Sequence, residues 1–578
     1  MTPTSALSAL GRRTLPNRYD LLWTALIFAG FIAIGRYSRG LTLPIHDPAS
    51  TVSSLDYAGL PYYAMRTTLR MFAAMAASLV FTFVYATLAA KSRRAEKVLV
   101  PLLDILQSVP ILGFLSFTIT FFLGLFPGSI LGAECAAIFA IFTSQAWNMT
   151  FSFYQSLRNV PRDLDEVSTG FRLTPWQRFW QLEAPFAMPG LIWNMMMSMS
   201  GGWFFVVASE AISVGDTTIM LPGIGSYLAL AINERSIAGV LAAVAAMAVV
   251  ILLYDQLLFR PLVAFGARFR VELSAGQTES RSFARDLFLR SAWLQTGFRP
   301  IAEALRAVSF WRLDWLGGAG APQAARSRAM SFAFDILWYG AVLAGVAWSC
   351  WLIFDFVRAE ISPAEFGRAL LYTLYTLARV IVLIVLATLV WVPIGVWIGL
   401  RPRVAEAVQP LAQFLAAFPA NVVFPIAVIC ILRFHLNPEV WLSPLIILGT
   451  QWYILFNVVA GAAAFPNDLK EAVRGFRIRG FDWWFKVMIP AIFPYYVTGA
   501  LTASGGSWNA AIVAEHVRWG DDVLTAQGIG SYIAIATDAG DYPRIVLGVA
   551  LMSVFVILFN RMLWRPLALL AERRLRLD

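Results

Sequence analysis

An all-α polytopic membrane protein, two homologous six-helix bundles with about twelve transmembrane helices in one chain, is the fold class that three observations predict. The 578 residues are 59% hydrophobic and 14% charged, with a mean hydropathy of +0.67, a composition that belongs to chains immersed in lipid. Apolar runs of about 20 residues, the length needed to cross a bilayer, recur from end to end. One polar segment between such runs occurs twice: Pro161, Asp163, Leu164, Glu166, Gly170, Phe171, Arg172 and Pro185 recur as Pro466, Asp468, Leu469, Glu471, Gly475, Phe476, Arg477 and Pro490, each displaced by 305 positions.

Taken in order, Arg12, Arg13 and Arg18 precede an apolar run at 21–35 with no small-x-small cleavage pattern after it, so an uncleaved first span is expected. Spans follow near 20–36, 67–90, 98–125, 130–152, 184–214 and 237–259, which makes 1–260 the first unit. The second unit, 331–578, has runs near 331–355, 370–400, 408–432, 440–464, 489–514 and 545–564. Between them, 261–330 reads as a linker: with Arg260 it holds eleven arginines, a Gly317-Gly-Ala-Gly320 run and an amphipathic helix near 283–315. Further repeats support the duplication: Ser200-Gly-Gly with Ser504-Gly-Gly, Glu210 with Glu515, Gly223-Ile-Gly-Ser-Tyr227 with Gly528-Ile-Gly-Ser-Tyr532, and Arg260-Pro261 with Arg565-Pro566. An even number of spans per unit makes the two bundles parallel.

Basic residues set the orientation. The N-terminus, Lys91–Lys97, the 155–183 loop, the linker and the Arg-rich C-terminus fall on one side, expected to be cytoplasmic. The segments 37–66, 215–236, 356–369 and 515–544, the last acidic through Asp521, Asp522, Asp538 and Asp541, face outward, to the periplasm in a Gram-negative host. The net charge of +10 is thus explained by short loops beside a lipid bilayer, and no nucleic-acid partner is expected.

Each copy of the polar segment opens with Asp-x-x-Glu, Asp163 with Glu166 and Asp468 with Glu471, which predicts a capping box starting a short helix. Glu and Gly four apart then share a face on which another surface can approach closely. The Glu-to-Pro spacing of nineteen, Glu166 to Pro185 and Glu471 to Pro490, resembles the EAA loop of ABC importer permeases. That resemblance implies that the loops 158–185 and 463–490 form cytoplasmic coupling helices, with Glu166, Gly170, Phe171, Pro185, Glu471, Gly475, Phe476 and Pro490 as ATPase-coupling residues. The family's usual Gly, six residues after the Glu, is Arg172 in one copy and Arg477 in the other.

No enzyme is expected in this chain. A P-loop needs Gly-x-x-x-x-Gly-Lys-Ser/Thr, and none of the four lysines, Lys91, Lys97, Lys470 and Lys486, stands in that context. Cys135, Cys350 and Cys430 lie in or beside apolar runs without paired spacing, and His46, His435 and His516 are scattered, so neither a disulfide framework nor a metal site is indicated.

The fifth span of each unit carries a small polar cluster, Ser200-Gly201-Gly202 in one and Ser504-Gly505-Gly506 with Trp508 and Asn509 in the other. Paired glycines weaken a helix by about 1 kcal/mol each. Either these clusters break the helix and expose amides to an anion, or they are packing residues. On the first reading they line a substrate pathway, with Asn509 the best contact and Glu210 and Glu515 near its outer end, facing an aqueous vestibule or paired with an arginine such as Arg518. Gln107, Glu134, Gln145, Asn148, Gln451 and Asn457 are expected mostly as interhelical hydrogen-bond partners.

As a whole the chain resembles a type I ABC importer permease with two units fused, of the nitrate, sulfonate, taurine and bicarbonate branch. The resemblance implies two cytoplasmic ABC ATPase subunits, which bind the ATP and Mg, an extracytoplasmic substrate-binding protein, a small anion as substrate, and location in a bacterial inner membrane. An ion-gradient-driven secondary transporter or channel built from the same repeats is the alternative, and a membrane-embedded scaffold the third reading.

Overall fold

In lipid a backbone amide has no water to bond, so each apolar run closes its hydrogen bonds within a helix. The structure, a computed structural model, describes residues 18–40, 43–44, 51–214, 217–266, 299–300, 303–304, 306–312 and 328–574. The main elements of the first half are α1 (Arg18–Gly40), α2 (Leu60–Lys91), α3 (Arg93–Ser108), α4 (Ile111–Leu125), α5 (Ile130–Arg158), α6 (Arg162–Gly170), α7 (Ala184–Glu210), β1 (Ala211–Val214), β2 (Thr217–Met220), α8 (Ile224–Asn233) and α9 (Ile237–Tyr254). The second half repeats them as α10 (Arg328–Glu360), α11 (Pro363–Gly399), α12 (Pro402–Ala417), α13 (Phe424–Arg433), α14 (Ser443–Leu448), α15 (Gln451–Ala463), α16 (Asn467–Gly475), α17 (Ile489–Ala514), β3 (His516–Trp519), β4 (Asp522–Thr525), α18 (Ile529–Asp538) and α19 (Tyr542–Phe559). The two antiparallel hairpins, β1 with β2 and β3 with β4, are the strand pairs among the described residues, and each follows directly on the fifth-span helix.

Among the described residues eight helices are long and apolar enough to cross a membrane, and up to eleven if each of three bent pairs is one span. The helix α1 covers the first expected run and stands outside that count. The expected single spans at 98–125 and 408–432 are each two helices, bent by 100° and by 81°. Both bends fall at an X-Pro step, Val109-Pro110 and Phe418-Pro419, where Val109 (ψ 128°) and Phe418 (ψ 124°) take the extended conformation that a following proline imposes. Of the expected linker helix near 283–315, residues 299–300, 303–304 and 306–309 are helical, and most of the rest lies outside the described residues.

Proline leaves a second, repeated mark. Among the described residues four π-helical turns, Phe179–Glu183, Asp255–Phe259, Trp484–Met488 and Asn560–Trp564, each end two residues before a proline: Pro185, Pro261, Pro490 and Pro566. A helix-interior proline lacks an N–H for the carbonyl four residues back and its ring presses on that carbonyl, and a local widening of the helix relieves both.

The deepest packing of each half is ionic. Glu210, at the end of α7, is buried; it accepts hydrogen bonds from Thr67 Oγ1 at 2.7 Å and Gly225 N at 2.6 Å, and is paired with Arg70. Arg70 also holds Glu134 through Nε at 2.6 Å and the Pro222 carbonyl at 3.1 Å, and Arg66 bonds Glu134 at 2.6 Å. The second half repeats the arrangement. Glu515 accepts from Thr376 Oγ1 at 2.8 Å, Arg379 at 2.9 Å, Gly530 N at 2.9 Å and Ser531 N at 3.2 Å, while Arg379 also pairs with Glu439 and bonds the Gln527 carbonyl at 2.8 Å. Thr67 and Thr376 each complete the clasp by accepting the amide of Ile224 or Ile529 at 3.0 Å. The expectation of Arg518 as partner is corrected: Arg518 pairs with Asp538, and both glutamates turn inward to arginines of their own half.

Arg70→Met is expected to destabilise the chain by about 3–5 kcal/mol, because two buried carboxylates lose a shared counter-charge. Arg235→Met, which breaks an exposed pairing with Asp521 and Asp522, should cost under about 1 kcal/mol. Thermal unfolding of the detergent-purified chain compares the two; equal shifts would contradict the ionic core.

Candidate functional site

The duplicated polar segments fold as short amphipathic helices, α6 and α16, that project Phe171 and Phe476 into the open, 75% and 80% exposed. Glu166 and Glu471 are exposed on them, and Gly170 and Gly475 have nothing within 4 Å of a notional Cβ. The expected capping box is not at Asp163 or Asp468. Pro161 and Pro466 occupy the cap positions, without a side-chain bond, and both aspartates sit in the first turn, where their charge favours the helix dipole. A capping box forms further on, between Thr174 and Gln177, in the first half.

Each helix stops in the same way. Leu173 N donates to Ser168 O at 3.2 Å and Phe171 N to Val167 O at 3.0 Å, and in the second copy Ile478 N donates to Val473 O at 3.1 Å and Phe476 N to Ala472 O at 2.9 Å. This closing turn requires a left-handed residue, which glycine adopts most readily. Arg172 (φ 50°) and Arg477 (φ 53°) fill it. The arginines that stand at the expected glycine position therefore keep the left-handed backbone that glycine would supply.

The two segments differ in their supports. The first is tied down by Arg178, which pairs with Asp165 at 2.7 Å and Glu183 at 2.9 Å, by Lys91 with Glu183 at 3.0 Å, and by the linker, whose Val308 and Phe310 carbonyls accept from Trp176 at 2.8 Å and Gln177 at 2.9 Å. In the second, Phe481 and Phe485 are 84% and 65% exposed, with Lys486 paired to Asp482 at 2.8 Å. Pro185 and Pro490 sit at the start of α7 and α17, directly beyond the π turns.

The fifth-span clusters do not break their helices: α7 and α17 run unbroken through Ser200-Gly201-Gly202 and Ser504-Gly505-Gly506. A Cβ on Gly202 would stand 2.9 Å from Gln145 Nε2 and 3.0 Å from Met71 Cε, and one on Gly506 2.5 Å from Thr450 Cγ2, so these two glycines permit close helix packing. Trp508 is 1% exposed and Ser504 2% exposed, both inside the core rather than along an open path. Gly505 faces open space, and Gly201 meets Tyr453 of the other half at 3.4 Å.

Of the three helix breaks among the described residues, two lie at Pro110 and Pro419, and each abuts the fifth span of the opposite half; the third, a 45° bend between Leu448 and Gln451, divides the expected span 440–464. Ile111, the first residue of α4, donates its amide to Asn509 Oδ1 at 2.7 Å. Reciprocally, Asn421 Nδ2 donates to the Phe204 carbonyl at 3.1 Å, and Ser200 Oγ to the Ala416 carbonyl at 2.8 Å. Phe204 is the repeat equivalent of Asn509, so the amide side chain has moved from the span in one half to the break in the other. The remaining expected partners behave variously: Gln107 bonds Asn148 at 3.2 Å and Trp391 bonds Gln451 at 2.9 Å between helices, Gln145 reaches Met199 Sδ at 3.6 Å, whereas Asn457 bonds the Tyr453 carbonyl of its own helix at 2.8 Å.

Sequence reading missed Thr67, Arg66, Arg70, Thr376, Arg379 and Glu439. Charges inside apolar runs are the signal for such groups. Their repeat was hidden because Thr67-x-x-Arg70 and Thr376-x-x-Arg379 are 309 apart, four more than the offset of the polar segments.

Two stretches, 78–260 and 391–573, match the family model described as "binding-protein-dependent transport system inner membrane component". Among curated relatives, a nitrate import permease protein of Leptolyngbya laminosa is 27% identical over 185 residues, 32% of this chain and 63% of the relative. A bicarbonate transport system permease protein of Synechococcus elongatus is 30% identical over 189 residues, 33% of this chain and 65% of the relative. A glycine betaine/proline betaine transport system permease protein of Escherichia coli is 28% identical over 272 residues, covering 46% and 70% of the two chains. The chain thus spans a little under two thirds of the nitrate and bicarbonate relatives that it matches.

Gly506→Leu is expected to lower folded yield and stability by about 1–3 kcal/mol through overpacking against Thr450, while Gly505→Leu folds as well as the wild type. Size-exclusion profiles and unfolding temperatures in detergent report both, and the reverse order would contradict the packing assignment.

Proposed function

Because the chain belongs to the family of binding-protein-dependent transport system inner membrane components, with matches to both halves that together exceed half its length, we propose that it is the transmembrane permease subunit of an ATP-binding-cassette importer for a small anion of the nitrate, sulfonate or bicarbonate kind. The two units, 1–260 and 331–578, stand for two permease subunits, and 261–330 tethers them. Two separate ATPases bind ATP and Mg on the side of α6 and α16, which with both termini and the tether is cytoplasmic; a substrate-binding protein delivers from the hairpin side. The nitrate and bicarbonate permeases among its relatives support the substrate class.

The observation that carries this reading is the pair of exposed segments α6 and α16. Each offers Glu, a bare Gly and a solvent-exposed Phe, an apolar contact rimmed by charge of the kind that a protein partner buries. The π turns beside Pro185 and Pro490 join these surfaces to the fifth spans, so a displacement of α6 or α16 is passed to α7 or α17. The fifth spans in turn touch the broken helices of the opposite half, and the substrate passes where Gly201, Gly505 and Asn509 meet that interface. Alternating access is then a rearrangement of the Asn509–Ile111 and Asn421–Phe204 contacts, driven from the ATPases. An ion-driven carrier is disfavoured because Glu134, Glu210 and Glu515, the buried carboxylates such a carrier would use, are engaged by arginines.

Glu166→Ala combined with Glu471→Ala should leave the protein inserted while lowering both uptake and transport-linked ATP hydrolysis about tenfold or more, equivalent to ~1.4 kcal/mol of coupling. Nitrate and bicarbonate uptake by proteoliposomes holding the chain with its ATPases measures this. In the same assay Asn509→Ala should change apparent substrate affinity. Wild-type uptake by the double variant would overturn the coupling assignment, and uptake without ATPases would establish the ion-driven alternative.

A further inference from the structure

The two ionic clasps are built alike but closed differently. In the first half two arginines, Arg66 and Arg70, face two carboxylates, Glu134 and Glu210, and all four side chains are at most 1% exposed. In the second half Arg379 is the counter-charge recorded for both Glu439 and Glu515 among the described residues. The offset that aligns Thr67 with Thr376 and Arg70 with Arg379 aligns Arg66 with Tyr375. Where the first half has a guanidinium bonded to Glu134 at 2.6 Å, the second has an open pocket of about 320 Å³ lined by Tyr375, Ala378, Arg379, Glu439 and Gln527.

Glu439 is held in place at this pocket. One oxygen accepts from Gln527 N at 2.8 Å, the other pairs with Arg379, and the side chain is still 40% exposed. Its counterpart Glu134 is fully covered. Two carboxylates around one guanidinium leave a formal negative charge uncompensated, in a recess whose wall includes an aromatic ring suited to a cation. The same face of α11 exposes Leu371, Leu374, Val382 and Val385, 45–56% accessible, an apolar track on which an acyl chain can lie.

We infer that the Tyr375–Arg379–Glu439 pocket is a binding site for a single ammonium or guanidinium group, which takes in the second half the place that the Arg66 side chain takes in the first. The group can be carried by a free amine or by an aminophospholipid head group seated over the apolar track. The ligand completes the clasp of the second half and so stabilises the chain. The inference rests on the clasp geometry and does not depend on the transported substrate.

Two probes test it on the full-length chain in detergent: agmatine, for the free source, and phosphatidylethanolamine against phosphatidylcholine, whose quaternary head group donates no hydrogen bond. Binding is read by native mass spectrometry and by the rise in unfolding temperature. At least one of agmatine and phosphatidylethanolamine should bind, and which one does names the source. Tyr375→Arg, which supplies the missing guanidinium from within, should weaken that binding at least about tenfold and raise the ligand-free unfolding temperature. Glu439→Gln should weaken binding similarly, and the Arg379 pairing with Glu515 remains to support the fold. Absence of binding by both probes would overturn the inference. So would undiminished binding to either variant, or equal binding of phosphatidylcholine.

Discussion

A carboxylate at the end of the fifth span, sealed from water, is the constraint on which each half is built. Glu210 and Glu515 would be strongly unfavourable in an apolar interior without compensation. Compensation requires an arginine and a threonine from the second span, backbone amides from the Gly-Ile-Gly-Ser loop, and a further carboxylate from the fourth span to balance the arginine. Meeting these demands together fixes three helices and a loop in one register. It also dictates composition: a Cβ at Gly223 or Gly528 would collide with the carboxylate, so the first glycine of the repeated loop is sterically required. Such a centre adds little net stability over an apolar one of equal volume, but it tolerates few alternative packings.

The contacts between the halves are of another kind. Beside the helix breaks they are single neutral hydrogen bonds, Asn509 to Ile111, Asn421 to Phe204 and Ser200 to Ala416, and on the hairpin side an exposed ion pair joins Arg235 to Asp521 and Asp522. A neutral hydrogen bond contributes about 1 kcal/mol net, far less than the clasps would lose if opened. The π turns before Pro185 and Pro490 lie between the exposed segments and the fifth spans.

The duplication and the exposed segments were legible because they depend on spacing and composition, which the sequence displays directly. The Pro110 and Pro419 breaks were visible as prolines, but run length merged the flanking helices into one span each, and apolar length alone does not register a bend. The capping box was misplaced because Asp-x-x-Glu satisfies the pattern wherever proline permits, and Pro161 and Pro466 took the cap. The glycine pairs looked like helix breaks, yet the helices run through them, and Gln145, Met71 and Thr450 pack closely against Gly202 and Gly506. The arginines of the clasp were hardest to find. Each is a charge within an apolar run, and what it pairs with lies 60 to 140 residues away along the chain.

A double-mutant cycle between Arg70 and Glu210, with Arg70→Met, Glu210→Gln and both together followed by equilibrium unfolding in detergent, tests most directly whether the buried clasp organises each half. The expected coupling energy exceeds about 1 kcal/mol, so that the double variant is less damaged than the sum of the single ones. Additivity within about 0.3–0.5 kcal/mol would mean that the two groups act independently, and the clasp could not be what holds the bundle together.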